Sequence, residues 1–539
     1  MRFNSEGNED DIRQAIEYLE SAKQIHDSLK LRINEISAPC ILDLPYDSIG
    51  GRSISLAHAP PCRFRFIHCR PLVAKSALRV FEFESLPMGR YAPISYVWRG
   101  LGADPNHNPK EFFSVTGATN ADPLSLNILR LACIAALQNH VELLWLDGLC
   151  ILQESKEDKD WQIQRMYNVY RHCALCLIIP GGMTRLATLE TPTSWIHRAW
   201  TLQEVMGPKE SRVLFAWQYG TCILQTFFPV RIEDLSPGEA GTAEFMRLLQ
   251  MSGKRPNVRE DPNHKPLVPL PDGTLEIKLL SNGDYFQRNS LIGALDTLKE
   301  GRHANSVWRS AMVRAAFRPV DKILSIMGVL NVRLNPANYP TLDWKQAAID
   351  LMRACLEGGG KADWLAIAPE LGVNPEICTL PNFPATGEKG IAVVVTEDGE
   401  KSVGGVVRSY VEGWELVGAP GGSMTEDGYL TLWGSVANLQ KCDGSGDVDG
   451  LVGGFQCVGK ERYAVVPKYG VDNGFYALYV GRKVQYTNGA IPRWIDPNDH
   501  IVMIVERKGE GKWWTVDYAF VTEELCRREE WYQDNVTLG

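Results

Sequence analysis

Within the chain stands Tyr91-Ala92-Pro93-Ile94-Ser95-Tyr96-Val97-Trp98. It is a short apolar run of strand length, ended by Arg99-Gly100, and from it the chain alternates strand and helix signals. Asp122-Pro123 opens a predicted helix with Leu126, Leu129, Cys133 and Leu137 on one face. Leu143 to Asp147 reads as a second strand. Ser155, with Asp158 three positions on, makes a capping box ahead of a helix carrying Ile163, Met166, Tyr167 and Tyr170 at helical spacing. Ala174 to Pro180 reads as a third strand, broken by Gly181-Gly182, and a third helix begins near Ser194. Strands alternating with helices of this length imply right-handed βαβ units, hence a parallel sheet with helices on its faces.

Upstream, residues 9 to about 34 read as a polar, charged helix with Ile12, Ile16, Leu19 and Ile25 at loosely helical spacing. Residues 37–62 look like a connecting loop, so 1–62 form an N-terminal arm, and Leu78 to Phe83 suits a strand. The α/β domain is expected over 63–250. Downstream, residues 252–273 hold five prolines, which predicts a linker over 251–275. A helical region is expected over 276–380, with Ser306–Phe317, Asp321–Leu330 and Asp343–Leu356 as its best helices and Gly358-Gly359-Gly360 closing the last. Over 381–539, short alternating segments and turn signals such as Asn473-Gly474 and Asn488-Gly489 predict a β-rich domain. Ile501 to Val505, Gly509-Glu510-Gly511 and Trp513 to Val516 read as a hairpin.

The 539 residues are 45% hydrophobic and 22% charged, which is ordinary globular composition. A formal net charge of -9 argues against a smooth basic surface, so no nucleic acid is expected as a partner. Thirteen cysteines without a framework spacing, and a polar start with no secretory signal, favour a reducing, cytoplasmic location. Apolar runs such as Leu143 to Leu146 are too short for a membrane span.

Four blocks, in order, resemble the HET domain of fungal heterokaryon-incompatibility proteins. Tyr91 to Trp98 is similar to its aromatic-led Ile-Ser-Tyr-Val-Trp-Gly opening. Leu144-Trp145-Leu146-Asp147-Gly148-Leu149-Cys150-Ile151-Leu152-Gln153 resembles its Trp-Ile-Asp-x-x-Cys-Ile-Asn-Gln block. Gln162 to Tyr170 is similar to its Gln-Ile-x-x-Met-x-x-Ile-Tyr helix, and Arg198-Ala199-Trp200-Thr201-Leu202-Gln203-Glu204 to its Arg-x-Trp-x-x-Gln-Glu. The blocks span 91–206. Arg318 to Gly328 carries a weaker echo, in which five residues separate Asp321-Lys322 from Gly328. Two positions depart from the family pattern: Arg99 intervenes between Trp98 and Gly100, and Leu152 replaces the usual Asn.

The resemblance implies a flavodoxin/TIR-like α/β domain and a role in self/non-self recognition, an innate-immunity-like signal that ends in programmed cell death. It further implies self-association through the HET domain and incompatibility-partner proteins. The setting Trp200-x-x-x-Glu204 resembles that of the catalytic Glu in TIR enzymes that cleave the nicotinamide–ribose bond of NAD. Here NAD is a substrate, and no cofactor or metal is expected. Such cleavage passes through an oxocarbenium-like state with a neutral leaving group, so one carboxylate that orients the ribose and stabilises positive charge suffices. On this reading Glu204 is the catalytic candidate, and Ser95, Trp98, Arg99, Asp147 and Trp200 are the substrate-binding candidates, with Arg99 toward the diphosphate. The alternative is a non-enzymatic TIR-like interaction and signalling module.

Each residue also has a plainer reading. Glu204 reads as a solvated helix-face carboxylate, Trp98, Trp145 and Trp200 as packing, Asp147 as a turn cap, and Ser95 as a strand hydroxyl bonded to backbone. Cys173-x-x-Cys176 reads as core, and a Cys150 nucleophile with His172 or His197 has no spacing to specify it. Asp443 to Gly450 reads as a glycine-rich turn rather than a calcium loop, Gly358 to Lys361 lacks the Ser/Thr of a P-loop, and Glu154 to Asp160 reads as a solvated helix start.

Overall fold

The structure, a computed structural model, describes residues 36–103, 108–281, 285–298, 304–340, 342–396, 399–407, 414–442, 453–468, 474–487, 491–494, 499–509 and 511–539. The expected helix at 9–34, the turns at Asn473 and at Asn488-Gly489, and the glycine-rich stretch Asp443 to Gly450 lie outside the described residues. Residues 1–40 form one unit and 41–539 another. The second unit carries two large sheets.

Eleven strands make the first of these, a mixed sheet. They are β1 (Cys40–Pro45), β2 (Phe64–His68), β3 (Ala77–Phe83), β4 (Tyr91–Tyr96), β5 (Leu143–Trp145), β6 (Cys176–Ile179), β7 (Ser211–Ala216), β8 (Cys222–Gln225), β9 (Val230–Ser236), β10 (Ala240–Glu244) and β11 (Asn257–Glu260). Their spatial order is β1-β3-β2-β5-β4-β6-β7-β10-β9-β8-β11. The middle is parallel: β5, β4, β6 and β7 run the same way. The strands β2 and β10 that border this group join it antiparallel. The expected all-parallel sheet is therefore corrected to a parallel centre with antiparallel extensions. The extensions rest on short local connections such as Gly238 between β9 and β10, where φ is +73°. Every residue of β4 is buried, as befits a central strand covered on both faces.

The crossovers are α1 (Leu126–Gln138), the run α2 (Asp147–Cys150), α3 (Lys156–Ile163) and α4 (Met166–Arg171), and then α5 (Thr201–Met206). The first begins later than Asp122-Pro123 implied. Ser125 caps it by accepting the Ile128 N–H, while the Asp122 carboxylate instead accepts the Gly100 N–H at 2.8 Å and fixes the loop after β4. Ser155 caps α3 as read, accepting the Asp158 N–H at 3.2 Å. The solvated reading of that helix start is corrected: Asp158 is fully buried. Its carboxylate takes Arg65 Nη1 at 3.1 Å and the N–H groups of Cys62 and Leu152 at 2.7 and 2.8 Å. A buried charge persists when it is paired and bonded in this way.

Within the proline-rich stretch expected as a linker, Asn257–Glu260 forms the edge strand β11 against β8. The helical region contains α6 (Tyr285–Leu298), which the pattern did not mark, then α7 (Ala304–Met312), α8 (Asp321–Met327) and α9 (Trp344–Glu357). Asp343 caps the last, accepting the Gln346 N–H, and Gly358 ends it.

The C-terminal part is β-rich, as read. β12 (Leu430–Lys441) is followed by the hairpin β13 (Gly454–Gln456) and β14 (Arg462–Val466), then β15 (Phe475–Thr487), β16 (His500–Lys508), β17 (Lys512–Val521) and β18 (Tyr532–Leu538). The predicted hairpin is β16–β17. β15 pairs β16, β17 pairs β18 in parallel, β18 pairs β12 and β12 pairs β15, so five strands close into a ring. The β13–β14 hairpin lays Phe455, Tyr463 and Val465 over Ala437, Ala477, Val502 and Ile504.

Candidate functional site

The direction of winding reverses at β4: the strand that follows it lies on one side and the third on the other. An open α/β sheet binds ligands in the crevice outside the carboxyl ends of its strands at such a reversal. Ser95 and Tyr96 end β4, Asp147 stands two residues past β5, and Gly181-Gly182 follow β6. The loops after β4 and β6 touch there. A Cβ on Gly100 would lie 2.1 Å from the Gly181 carbonyl oxygen, so neither loop could approach with a larger residue at that point.

Ser95 is wholly buried and its hydroxyl links two later residues. It donates to Glu204 Oε2 at 2.5 Å and accepts the Trp195 indole N–H at 2.9 Å. Glu204 sits in the first turn of α5, a helix whose six residues are all buried. The solvated reading of Glu204 is thereby corrected, since the carboxylate points under β4 rather than into water. Burial pushes its carboxyl up to about 8; the Ser95 hydrogen bond opposes that rise, Asp147 adds to it, and Arg198 and Arg314 pull it down.

Asp147 is half-buried. Its Oδ2 accepts the Trp98 indole N–H at 2.7 Å and its Oδ1 the Gly148 N–H at 2.6 Å. The turn-capping role and the site role thus coexist in one side chain. Burial raises its carboxyl, and the hydrogen bonds from Trp98 and Gly148, the nearby Tyr96 hydroxyl and the Arg198 charge restrain the rise. The two carboxylates feel one another across the crevice, the arrangement in which one holds a proton more readily than the other.

Of the sequence candidates, Ser95, Glu204, Asp147 and Trp98 are brought together. Trp200 is half-buried and stands near Asp321 of α8, whose carboxyl it holds down against the rise that burial imposes. Arg99 is exposed, with its guanidinium on the Asn120 carbonyl and side-chain oxygens at 3.1 and 3.2 Å. Leu152 lines a small cleft of about 150 Å³ together with Leu149, Ile151 and Gln153. Gln153 Nε2 donates to the Asp147 carbonyl at 2.9 Å.

Four residues escaped the sequence reading as site members: Trp195, Arg198, Arg314 and Asp321. Arg198 stood inside the Arg198–Glu204 block and Asp321 inside the weaker echo. Arg314 left a fainter signal, a lone cation within the apolar run Ala311 to Ala316. Cys150 is fully buried, its sulfur accepts the Leu146 N–H at 3.4 Å, and burial pushes its thiol up to about 12, which suits packing and not nucleophilic attack. Cys173 and Cys176 are buried free thiols of the core. Among the described residues no His, Cys, Asp and Glu side chains converge as a metal-holding group. No described helix is long and apolar enough to cross a membrane.

The fold and this site define an α/β module with paired carboxylates at the reversal of its central sheet. Residues 91–191 match the family model described as Heterokaryon incompatibility protein (HET), which suggests a role in heterokaryon incompatibility. Ser95 and Asp147 fall inside that match; Trp195, Trp200 and Glu204 lie beyond it. No curated protein and no solved structure gives a match to the chain.

Proposed function

We propose that the HET module is a TIR-like effector of fungal self/non-self recognition that cleaves NAD at the nicotinamide–ribose bond on self-association and so signals cell death. It acts in the cytoplasm, assembles through its HET domain and answers to incompatibility-partner proteins. The observation that carries this reading is the Ser95–Glu204 hydrogen bond facing Asp147 at the crevice where the sheet reverses. Numbered among themselves in chain order, the four parallel strands lie 2-1-3-4, which supports a flavodoxin-like reading of the module. Perturbed carboxyls gathered at such a point favour catalysis over packing.

In this mechanism the ribose carbon that loses nicotinamide acquires positive charge, and an ionised carboxylate beside it lowers the barrier. Asp147, held by Trp98 and Gly148, faces the open side of the crevice and orients the ribose hydroxyls. Glu204 becomes competent once its proton has left, with Ser95 stabilising the anion. Nicotinamide departs neutral, so no strong acid is needed. Water then adds to the sugar carbon in its place and gives its proton to the ionised Glu204 carboxylate, which passes it to solvent.

Nicotinamide release from NAD by the full chain, beside Glu204→Gln and Asp147→Asn, tests the reading. Release that both substitutions lower by about 100-fold, a loss typical of removing a charge-stabilising group, supports it. Release by Glu204→Gln at the wild-type rate removes Glu204 from the chemistry. A second reading, a TIR-like interaction module without turnover, is favoured by the burial of Glu204 and by the engagement of Arg99 with Asn120. A folded, self-associated chain that releases no nicotinamide establishes that reading instead.

A further inference from the structure

We propose that Arg314 and Asp321, from the helical region, are positioning residues of the Glu204 site, so that the effector module is complete only with residues 304–328. This inference rests on the NAD-cleaving reading and names what holds its catalytic carboxylate in place.

The turn that delivers Glu204 has few supports of its own. Trp195–His197 is a single 3-10 turn and α5 is only six residues long, so neither stands without tertiary contacts. The segment after α7 supplies them. Ala315 N–H donates to the His197 carbonyl at 2.6 Å and Ala199 N–H to the Ala315 carbonyl at 2.9 Å, a short strand-like pairing alongside the turn. Arg314 is 1% exposed, and its Nη1 reaches the Ile196 carbonyl at 2.8 Å, the Arg198 carbonyl at 3.0 Å and Thr201 Oγ1 at 2.8 Å. Those acceptors bracket the turn just before α5. The Arg314 Nη2 is buried without a hydrogen-bond partner, and its charge is felt at Glu204.

The α8 helix adds two contacts to the same face. Asp321 stands near the Trp200 and Arg198 side chains, and both restrain the rise that burial imposes on its carboxyl. Gly328 lies so close to Tyr167 of α4 that a Cβ there would come within 2.4 Å of the tyrosine Cβ. The spacing from Asp321 to Gly328 therefore matches two docking points on the HET module, one at the residue that precedes α5 and one on α4. A buried guanidinium with three acceptors on one turn is expensive to desolvate, and such an arrangement fixes geometry rather than adding stability.

The groups facing Glu204 are Asp147 from α2, Tyr170 from α4, Cys176 from β6, Arg198 from its own turn and Arg314 from the docked segment. Among them Arg314 is a cation from outside the α/β module, and its removal makes loss of the Glu204 proton harder. The test measures nicotinamide release by full-length wild type, Arg314→Met, Arg314→Lys and Asp321→Asn from pH 6 to 9.5, with thermal unfolding alongside. Arg314→Met is expected to move the rising limb of the pH profile upward by about half a unit or more, a threefold loss or greater below the midpoint. Arg314→Lys restores the midpoint because it returns the charge, while its kcat stays lower because the three-acceptor fork is gone. Asp321→Asn, the variant to read should Arg314→Met not fold, is expected to lower kcat about threefold or more with KM within about twofold. An unmoved midpoint in folded Arg314→Met, or unchanged kcat in Asp321→Asn, overturns the inference while wild-type turnover stands. A wild type without turnover overturns the proposed function and this inference with it.

Discussion

Ser95 and Glu204 are 109 residues apart in sequence and joined by a 2.5 Å hydrogen bond inside the protein. Ser95→Ala removes that bond and also the acceptor for Trp195, and leaves a buried carboxyl unsatisfied. A loss of about 1–3 kcal/mol in unfolding free energy is expected. Because the hydroxyl favours the ionised carboxylate, the loss is larger at pH 9 than at pH 6. Urea titrations at the two pH values check it, and an equal loss at both would show that Ser95 does not support the anion.

Glu204 also writes a pH dependence into stability. Its carboxyl is raised from 4.5 to about 8 in the folded protein, so the folded state holds a proton that the unfolded state has released. The stabilisation is fully present below about 4.5 and drains away as pH rises toward 8, at about 1.4 kcal/mol per pH unit while one proton separates the states. Glu204→Gln carries no such proton. Its stability relative to wild type is expected to grow by a few kcal/mol between pH 5 and pH 8. Paired thermal melts across that range measure the gap, and a gap independent of pH would contradict the buried, protonated state.

Asp158 and Arg65 are both fully buried and paired at 3.1 Å, with Glu82 3.5 Å from Arg65 Nε. Asp158→Ala strands the guanidinium beside Glu82 and frees the Cys62 and Leu152 amides. A cost of about 3–5 kcal/mol is expected, as for other buried pairs broken from one side. Denaturant unfolding reads it directly, and a cost below about 1 kcal/mol would mean that water reaches Arg65.

Gly328→Ala places a methyl group against Tyr167. About 1–3 kcal/mol of destabilisation is expected from the overpacking. An unchanged melting temperature would indicate that α8 can draw back from the HET module at no cost.

The α/β core was legible because its strands are short apolar runs broken by Gly and its helices carry caps, as at Ser155. Ser95, Trp98, Asp147 and Glu204 were legible through a resemblance, and their mutual contacts were not, since hydrogen bonds across a hundred residues leave no local period. The antiparallel extension beyond β7 escaped because β8 to β11 are short strands interspersed with proline and charge, and edge strands tolerate both. Asp158 misled because it stands in a charged run with the composition of a solvated helix start, while its neighbours in space come from residues 62–65. Arg314 escaped for the same reason: its partners at 196–201 are supplied by tertiary docking.

The five-strand ring at the C-terminal side has a kinetic consequence. Thr431 of β12 meets Thr537 of β18 across a separation of 106 residues, and the ring cannot close until both are in place. Contacts so distant along the chain must overcome loop-closure entropy before they return any stability, which makes ring closure a late step. Until then β12 and β17 present unpaired edges to their surroundings. Refolding this protein from denaturant should therefore be limited by the ring and be sensitive to protein concentration, with chaperone dependence falling on that part of the chain.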